Sequence, residues 1–264
     1  MKSFSRSHLK DLKKIVLKVG SGLLTHERGL NTTFFSRLAR EVALLKQEGR
    51  EVTLVSSGAI ASGMQALGLT ERPKELTRKQ AVAALGQPLL MKEYARVLKK
   101  QDLHGAQMLL TRADLEDHDR WLMARHTVRE ILKMGLIPII NENDSVTVEE
   151  IRFGDNDQLS ALVAELVGAN LLIIMTDIDG LYDADPKKYT EAQRISCVPQ
   201  ITPEIMGLAG DTRSAKSTGG MITKLKAASL ATQKGIATLI VDGKNPKILQ
   251  SLFQGIDCGT LFLK

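Results

Sequence analysis

The stretch KIVLKVGSG at residues 14–22 decides how the chain is read. Six residues of strand length, apolar apart from two lysines, run directly into a glycine turn. The stretch EVTLVSSGAIA at 51–61 has the same form, an apolar strand at 51–55 ending in Ser56, Ser57 and Gly58. Between the two, Phe35, Leu38, Val42 and Leu45 recur at helical spacing, with Asn31 or Thr32 able to cap the start and Gly49 able to end the helix. Strand, amphipathic helix and strand make one βαβ unit, which requires parallel strands. Working outward, further apolar runs at 105–110, 136–140, 171–175 and 237–241 alternate with stretches of helix length. That is the pattern of an α/β protein with a mainly parallel sheet and helices on its faces.

Two segments depart from the alternation. The helical stretch 77–101 contains Gly86 and Pro88; proline is favoured at the first turn of a helix, so the sequence predicts a break near Gly86 and a second helix opened by Pro88. Residues 146–153 alternate apolar with polar and predict a solvent-facing hairpin. With no repeat and no Pro- or Ser-rich linker, the chain reads as a single domain, 1–264, with a soft boundary near Gly168 between a larger lobe (1–168) and a smaller one (169–264).

Composition narrows the function. Hydrophobic residues at 43% and charged residues at 25% belong to a folded domain, not to disorder. Cys197 and Cys258 lie far apart with no CxxC spacing, which argues against a zinc or redox pair; both are expected as small buried side chains. No apolar run has the length of a membrane helix, and Lys18 with its glycines interrupts any signal-peptide core, so a cytoplasmic protein without a membrane partner is expected. The net charge of +6 would suit nucleic acid or small anions, but only 4% of residues are aromatic and no nucleic-acid motif is present, which disfavours nucleic acid.

In open parallel sheets ligands bind beyond the carboxyl ends of the strands. The first strand ends in Lys18, Gly20, Ser21 and Gly22: backbone amides that can approach a phosphate closely, beside a point charge. It is neither a dinucleotide fingerprint nor a Walker A loop. The second strand places Ser56, Ser57 and Gly58 at a helix start, where an anion is stabilised but a plain Ser cap would look the same. After the fourth strand come Asn141, Glu142, Asn143 and Asp144, and after the expected hairpin Gly154, Asp155, Asn156 and Asp157, a density of amides and carboxylates suited to gripping an ammonium and orienting lysines. The fifth strand ends in Thr176 and Asp177. A glycine turn, Thr218, Gly219, Gly220, Met221, Ile222, Thr223 and Lys224, then opens a helix with a second lysine one turn in.

Together these segments resemble the amino acid kinase family. The resemblance rests on residues 18–21, VSSGAIA (55–61), QMLLTRAD (107–114), INEND (140–144), GDNDQLSALVA (154–164), GLYDADP (180–186) and TGGMITK (218–224), and it covers nearly the whole chain. It implies a three-layer αβα sandwich and, from the members whose motifs these are, ATP-dependent phosphorylation of the γ-carboxylate of L-glutamate, the first step of proline biosynthesis. Carried over, Lys18 and Lys224 would contact the transferred phosphoryl group and Asp157 would hold them. Ser57, Asn141, Asp144, Asp155 and Asn156 would surround the acid. Lys18, Thr176, Asp177 and Thr218 through Lys224 would line the ATP site. ATP with Mg2+, a homo-oligomer, proline as feedback inhibitor and a downstream glutamyl phosphate reductase are implied in the same way. Many members carry an additional C-terminal domain of the PUA type; here the sequence ends at Lys264 just after a strand-like run, which fits either a natural short form or a shortened chain, and in both cases complete catalytic lobes are expected.

The residues fit that chemistry. A carboxylate with an ordinary pKa near ~4.3 is already an anionic nucleophile at neutral pH and needs no general base, and His8, His26, His104, His118 and His126 lie outside the strand-end clusters. Magnesium is commonly held through the phosphates with one or two carboxylates, so no dedicated metal motif is expected. Two alternatives stay open: a kinase of another small acid, such as N-acetylglutamate, aspartate or a nucleoside monophosphate, and a non-catalytic amino acid sensor on the same scaffold.

Overall fold

The computed structural model describes residues 4–26, 29–147, 156–186, 188–209 and 220–264. A 3-10 turn (Arg6–Asp11) leads into β1 (Lys14–Val19), α1 (Ser21–Leu24) and a small antiparallel hairpin of β2 (Thr25–His26) and β3 (Gly29–Leu30). In α2 (Thr32–Gln47) the side chain of Asn31 accepts the Phe34 N–H as cap, and Gly49 at φ 75° turns the chain out of the helix. The unit closes on β4 (Glu51–Val55), parallel to β1 as expected. There follow α3 (Ala59–Ala66), α4 (Leu76–Lys99), β5 (Gly105–Leu110), α5 (Arg112–Glu116), α6 (His118–Lys133) and β6 (Ile137–Glu142). The rest of the chain supplies α7 (Asn156–Val167), β7 (Leu171–Thr176), β8 (Cys197–Val198), α8 (Pro203–Gly207), α9 (Met221–Gln233), β9 (Ala237–Asp242), α10 (Ile248–Phe253) and β10 (Thr260–Phe262).

Eight strands form one sheet in the order β5-β6-β4-β1-β7-β9-β10-β8, parallel except for the β10–β9 pair. Side-chain alternation in β1 sorts the two layers. Ile15, Leu17 and Val19 face α2, α4 and α10, packing with Phe35, Leu38, Leu90, Tyr94, Val97 and Leu252. Val16 faces the opposite layer, with Leu159 and Val163 of α7 and Leu225 and Ala228 of α9. Lys18 has the parity of Val16 and so emerges on the α7–α9 face. The topological switch lies here, because from β1 the chain builds β4, β6 and β5 to one side and β7 and β9 to the other. Pairing of β1 with β7 makes the sheet continuous across residue 168.

Three expectations are corrected or set aside. The break near Gly86 does not occur: α4 runs unbroken with Pro88 inside it. Pro88 and Ala84 are both exposed, so the carbonyl that proline leaves without a donor faces water. Gly86 has another task, since a Cβ there would strike the Ala59 carbonyl of α3, and one at Gly63 would strike the Val82 carbonyl of α4. The glycines let two helices meet backbone to backbone. The cysteines are not small buried side chains as expected: Cys197 is exposed on β8, the outermost strand, and Cys258 is half-buried in the turn before β10. The hairpin expected at 146–153 lies, beyond Thr147, outside the described residues. Among the described residues no helix is long and apolar enough to cross a membrane.

Candidate active site

Lys18, in the middle of an apolar strand, is 3% exposed, and a buried ammonium is costly unless an anion meets it. Asp157 meets it. Its Oδ1 lies 2.5 Å from Lys18 Nζ, and its Oδ2 lies 3.2 Å from Lys224 Nζ and accepts from Thr223 Oγ1 at 2.8 Å. Asp157 is fully buried and Lys224 is 4% exposed. Each side chain arrives from a different element: Lys18 from the C-terminal half of β1, Asp157 from the first turn of α7, Lys224 from the first turn of α9. The first turn of a helix favours a carboxylate through its oriented N–H groups. Gly220, extended at the start of α9, precedes Met221 and Ile222, whose half-buried side chains seat that turn on the core. The two lysines expected to contact the phosphoryl group and the aspartate expected to hold them therefore meet at one point.

A second cluster is neutral. The Asn156 Nδ2 donates to Asn141 Oδ1 at 2.7 Å, to Ser57 Oγ at 3.2 Å and to the Ser56 carbonyl. Asn141, 2% exposed at the end of β6, also accepts the Glu142 N–H and donates from Nδ2 to Gln87 Oε1 at 2.8 Å. Ser56 Oγ lies 3.0 Å from the hydroxyl of Tyr94. Burial pushes the Tyr94 phenol well above its ordinary pKa, against the opposing effect of the Ser56 hydrogen bond, so it stays a neutral hydroxyl. Gly58, at φ 102°, makes the left-handed turn that starts α3 just past Ser57.

Of the residues expected around the acid, Ser57, Asn141 and Asn156 are brought together. Asp144 sits apart from that bonded set, half-exposed in a crevice with Leu76, Lys79, Gln80 and Thr147 at the start of α4. Asp155 lies outside the described residues. Of those expected around ATP, Thr176 and Asp177 end β7, with Thr176 Oγ1 3.2 Å from Asp177 Oδ1 and the Thr176 carbonyl accepting the Gly243 N–H. Asp177 is exposed. Thr218 and Gly219 lie outside the described residues, whereas Gly220 through Lys224 are placed as above. Sequence reasoning missed Gln87 and Tyr94. The signal was a polar side chain in the buried stripe Ala83, Gln87, Leu90, Tyr94, Val97 of α4.

Comparison with known proteins identifies the family. Residues 13–242 match the model of the amino acid kinase family. A glutamate 5-kinase of Geobacter metallireducens is 52% identical over 256 residues, covering 97% of this chain and 69% of the relative. One from Thermus thermophilus is 51% identical over 250 residues, covering 95% of this chain and 67% of the relative. The chain thus spans about two thirds of the length of these relatives. Among solved structures, carbamate kinase from Giardia lamblia bound to AMP-PNP superposes with a TM-score of 0.67 at 16% identity, covering 97% of this chain and 99% of that one. UMP kinase from Bacillus anthracis gives 0.65 at 15% identity, covering 96% of each chain. At that identity the structural likeness speaks for the fold, a mainly parallel sheet between helical layers; the family model and the sequence relatives speak for descent. The chain belongs to the amino acid kinase family.

Proposed function

We propose that the chain is a glutamate 5-kinase, transferring the γ-phosphoryl group of ATP to the side-chain carboxylate of L-glutamate to give L-glutamyl 5-phosphate, the first step of proline biosynthesis. The observation that carries this reading is the buried meeting of Lys18, Asp157 and Lys224, with Asp157 following Asn156 of the neutral amide cluster, in a chain about half identical to enzymes of that name.

In this reading a carboxylate oxygen of glutamate attacks the γ-phosphorus, the bond to the bridging oxygen breaks and ADP leaves; no proton has to be moved. The obstacle is repulsion between two anions. Lys18 and Lys224 lower it by placing ammonium groups where negative charge gathers on the transferring oxygens, and Asp157 fixes both. Asn156, Asn141 and Ser57, with Asp144 and Asp155, position glutamate, while Lys18, Thr176, Asp177 and the segment from Thr218 to Lys224 hold ATP. Residues 1–168 then serve the acid and 169–264 the nucleotide.

A magnesium ion would add further charge neutralisation on the phosphates. Among the described residues no group of three or more His, Cys, Asp or Glu is placed to hold a metal, and Asp157 already faces two lysines. That donor set fits an ion brought in by ATP, with exposed Asp177 as a carboxylate open to it. The product, a labile acyl phosphate, calls for a reductase that consumes it. Proline competing at the acid site and assembly into a homo-oligomer complete the proposal.

The rival within the family is a kinase of a blocked or different acid. Asp144, with Asn141 and Asn156, favours a free α-ammonium, which N-acetylglutamate lacks. ADP release measured over glutamate, N-acetylglutamate, aspartate and UMP should be fastest with glutamate. Turnover confined to N-acetylglutamate or UMP would end the proposal, and glutamate binding without turnover at saturating ATP and magnesium would favour the sensor.

A further inference from the structure

We infer that Gln87 is a positioning residue for the acid, acting through Asn141 on the orientation of Asn156; the inference rests on the glutamate reading above. Gln87 is 9% exposed, a polar side chain in the buried stripe Ala83, Leu90, Tyr94 and Val97 of α4. Its Oε1 accepts from Asn141 Nδ2, Asn141 Oδ1 accepts from Asn156 Nδ2, and Asn156 Nδ2 also reaches the Ser56 carbonyl. Two members of this chain of amides cannot reverse: the Glu142 N–H only donates to Asn141 Oδ1, and the Ser56 carbonyl only accepts. Between them they commit the Asn156 Nδ2 to Asn141 and Ser56, so that its Oδ1 is the atom left to accept from a ligand, as suits an ammonium group.

Gln87 removes the freedom that remains. It is the partner of Asn141 Nδ2, a donor on a residue 2% exposed, and an amide donor left unpaired in the interior reorients toward any available acceptor. Such a turn would carry Asn141 Oδ1 away from Asn156. The position of Gln87 is itself fixed, because Gly86 beside it packs against the backbone of α3. Seven residues further along α4 the Tyr94 hydroxyl holds Ser56 Oγ. α4 thus grips both the asparagine pair and the Ser56–Ser57 turn, and bonds to neither Lys18 nor Lys224.

The test compares wild type, Gln87→Met and Gln87→Glu with glutamate and with glutarate, the same dicarboxylate without its amine. In Gln87→Met the KM for glutamate should rise about tenfold, the worth of one well-placed hydrogen bond, while kcat and the KM for ATP change by less than about twofold. The preference for glutamate over glutarate should shrink by the same factor. Gln87→Glu, which keeps an acceptor for Asn141, should stay within about threefold of wild type. Should Gln87→Met fail to fold, Gln87→Leu carries the same expectation. An unchanged glutamate KM in the apolar variants, or a Gln87→Glu enzyme as impaired as they are, would overturn the inference. A wild type that turns over neither acid would instead overturn the glutamate reading.

Discussion

At one end of the site, two ammonium groups and a carboxylate, none more than 4% exposed, are held together by charge; at the other, amides and hydroxyls hold one another through neutral N–H···O bonds. The charged end is expensive to build, since each ion leaves water, and that cost is recovered when charge is placed where it changes most during reaction. The neutral end costs little and does little to a barrier, but it reads shape and donor pattern in the ground state. The contrast assigns rate to the first and affinity to the second.

Breaking the charged end should give the largest effect. Replacing Lys18 or Lys224 by Met is expected to lower kcat by about 10² or more, as for loss of one electrostatic stabiliser, with a smaller change in glutamate KM. Asp157→Asn should follow them, because its task is to hold both lysines; steady-state kinetics with glutamate varied at saturating ATP checks all three. At the neutral end, Asn156→Ala should raise the glutamate KM by about 10- to 100-fold, the range for a hydrogen bond to a charged group, and leave the ATP KM nearly unchanged.

Another buried carboxylate sharpens the contrast by standing apart from both ends of the site. Glu41, on α2, is 9% exposed, and neither of its carboxylate oxygens has a hydrogen-bond partner among the described residues. Burial raises its pKa from the ordinary 4.5 to about 7, against the lowering effect of Arg37 and Arg40. Because the folded form keeps a proton that the unfolded chain releases earlier, the contribution of Glu41 to stability is greatest below pH 4.5, falls as pH rises to about 7, and is level above that. Glu41→Gln should therefore add on the order of 3 kcal/mol at pH 8 and almost nothing at pH 4, with kcat unchanged. Urea unfolding at the two pH values reads the difference.

Much of this was legible in the sequence because it is local. A strand, its period and the polar residues just past its end occupy one short window, so the six long strands and the Lys18, Asn141 and Asp157 positions followed from spacing and from where parallel sheets bind ligands. The strands proved longer than expected by one or two residues at three carboxyl ends, carrying Asn141 and Thr176 inside the sheet. What was not legible depends on distant partners. Gly86 and Pro88 look like a helix break unless α3 is known to pack against that glycine. Gln87 gains meaning only from Asn141, far along the chain. The short strands β8 and β10 are defined by their neighbours more than by any period of their own, which is also why the exposure of Cys197 escaped notice.

The most direct test of the division between rate and affinity is the double variant Lys224→Met with Asn156→Ala, measured beside its two single variants. If the ends act separately, the double variant shows the kcat loss of the lysine variant and the KM rise of the asparagine variant, the two multiplying in kcat/KM. A double variant no worse in kcat/KM than Lys224→Met alone, or Asn156→Ala lowering kcat as deeply as Lys224→Met does, would contradict it.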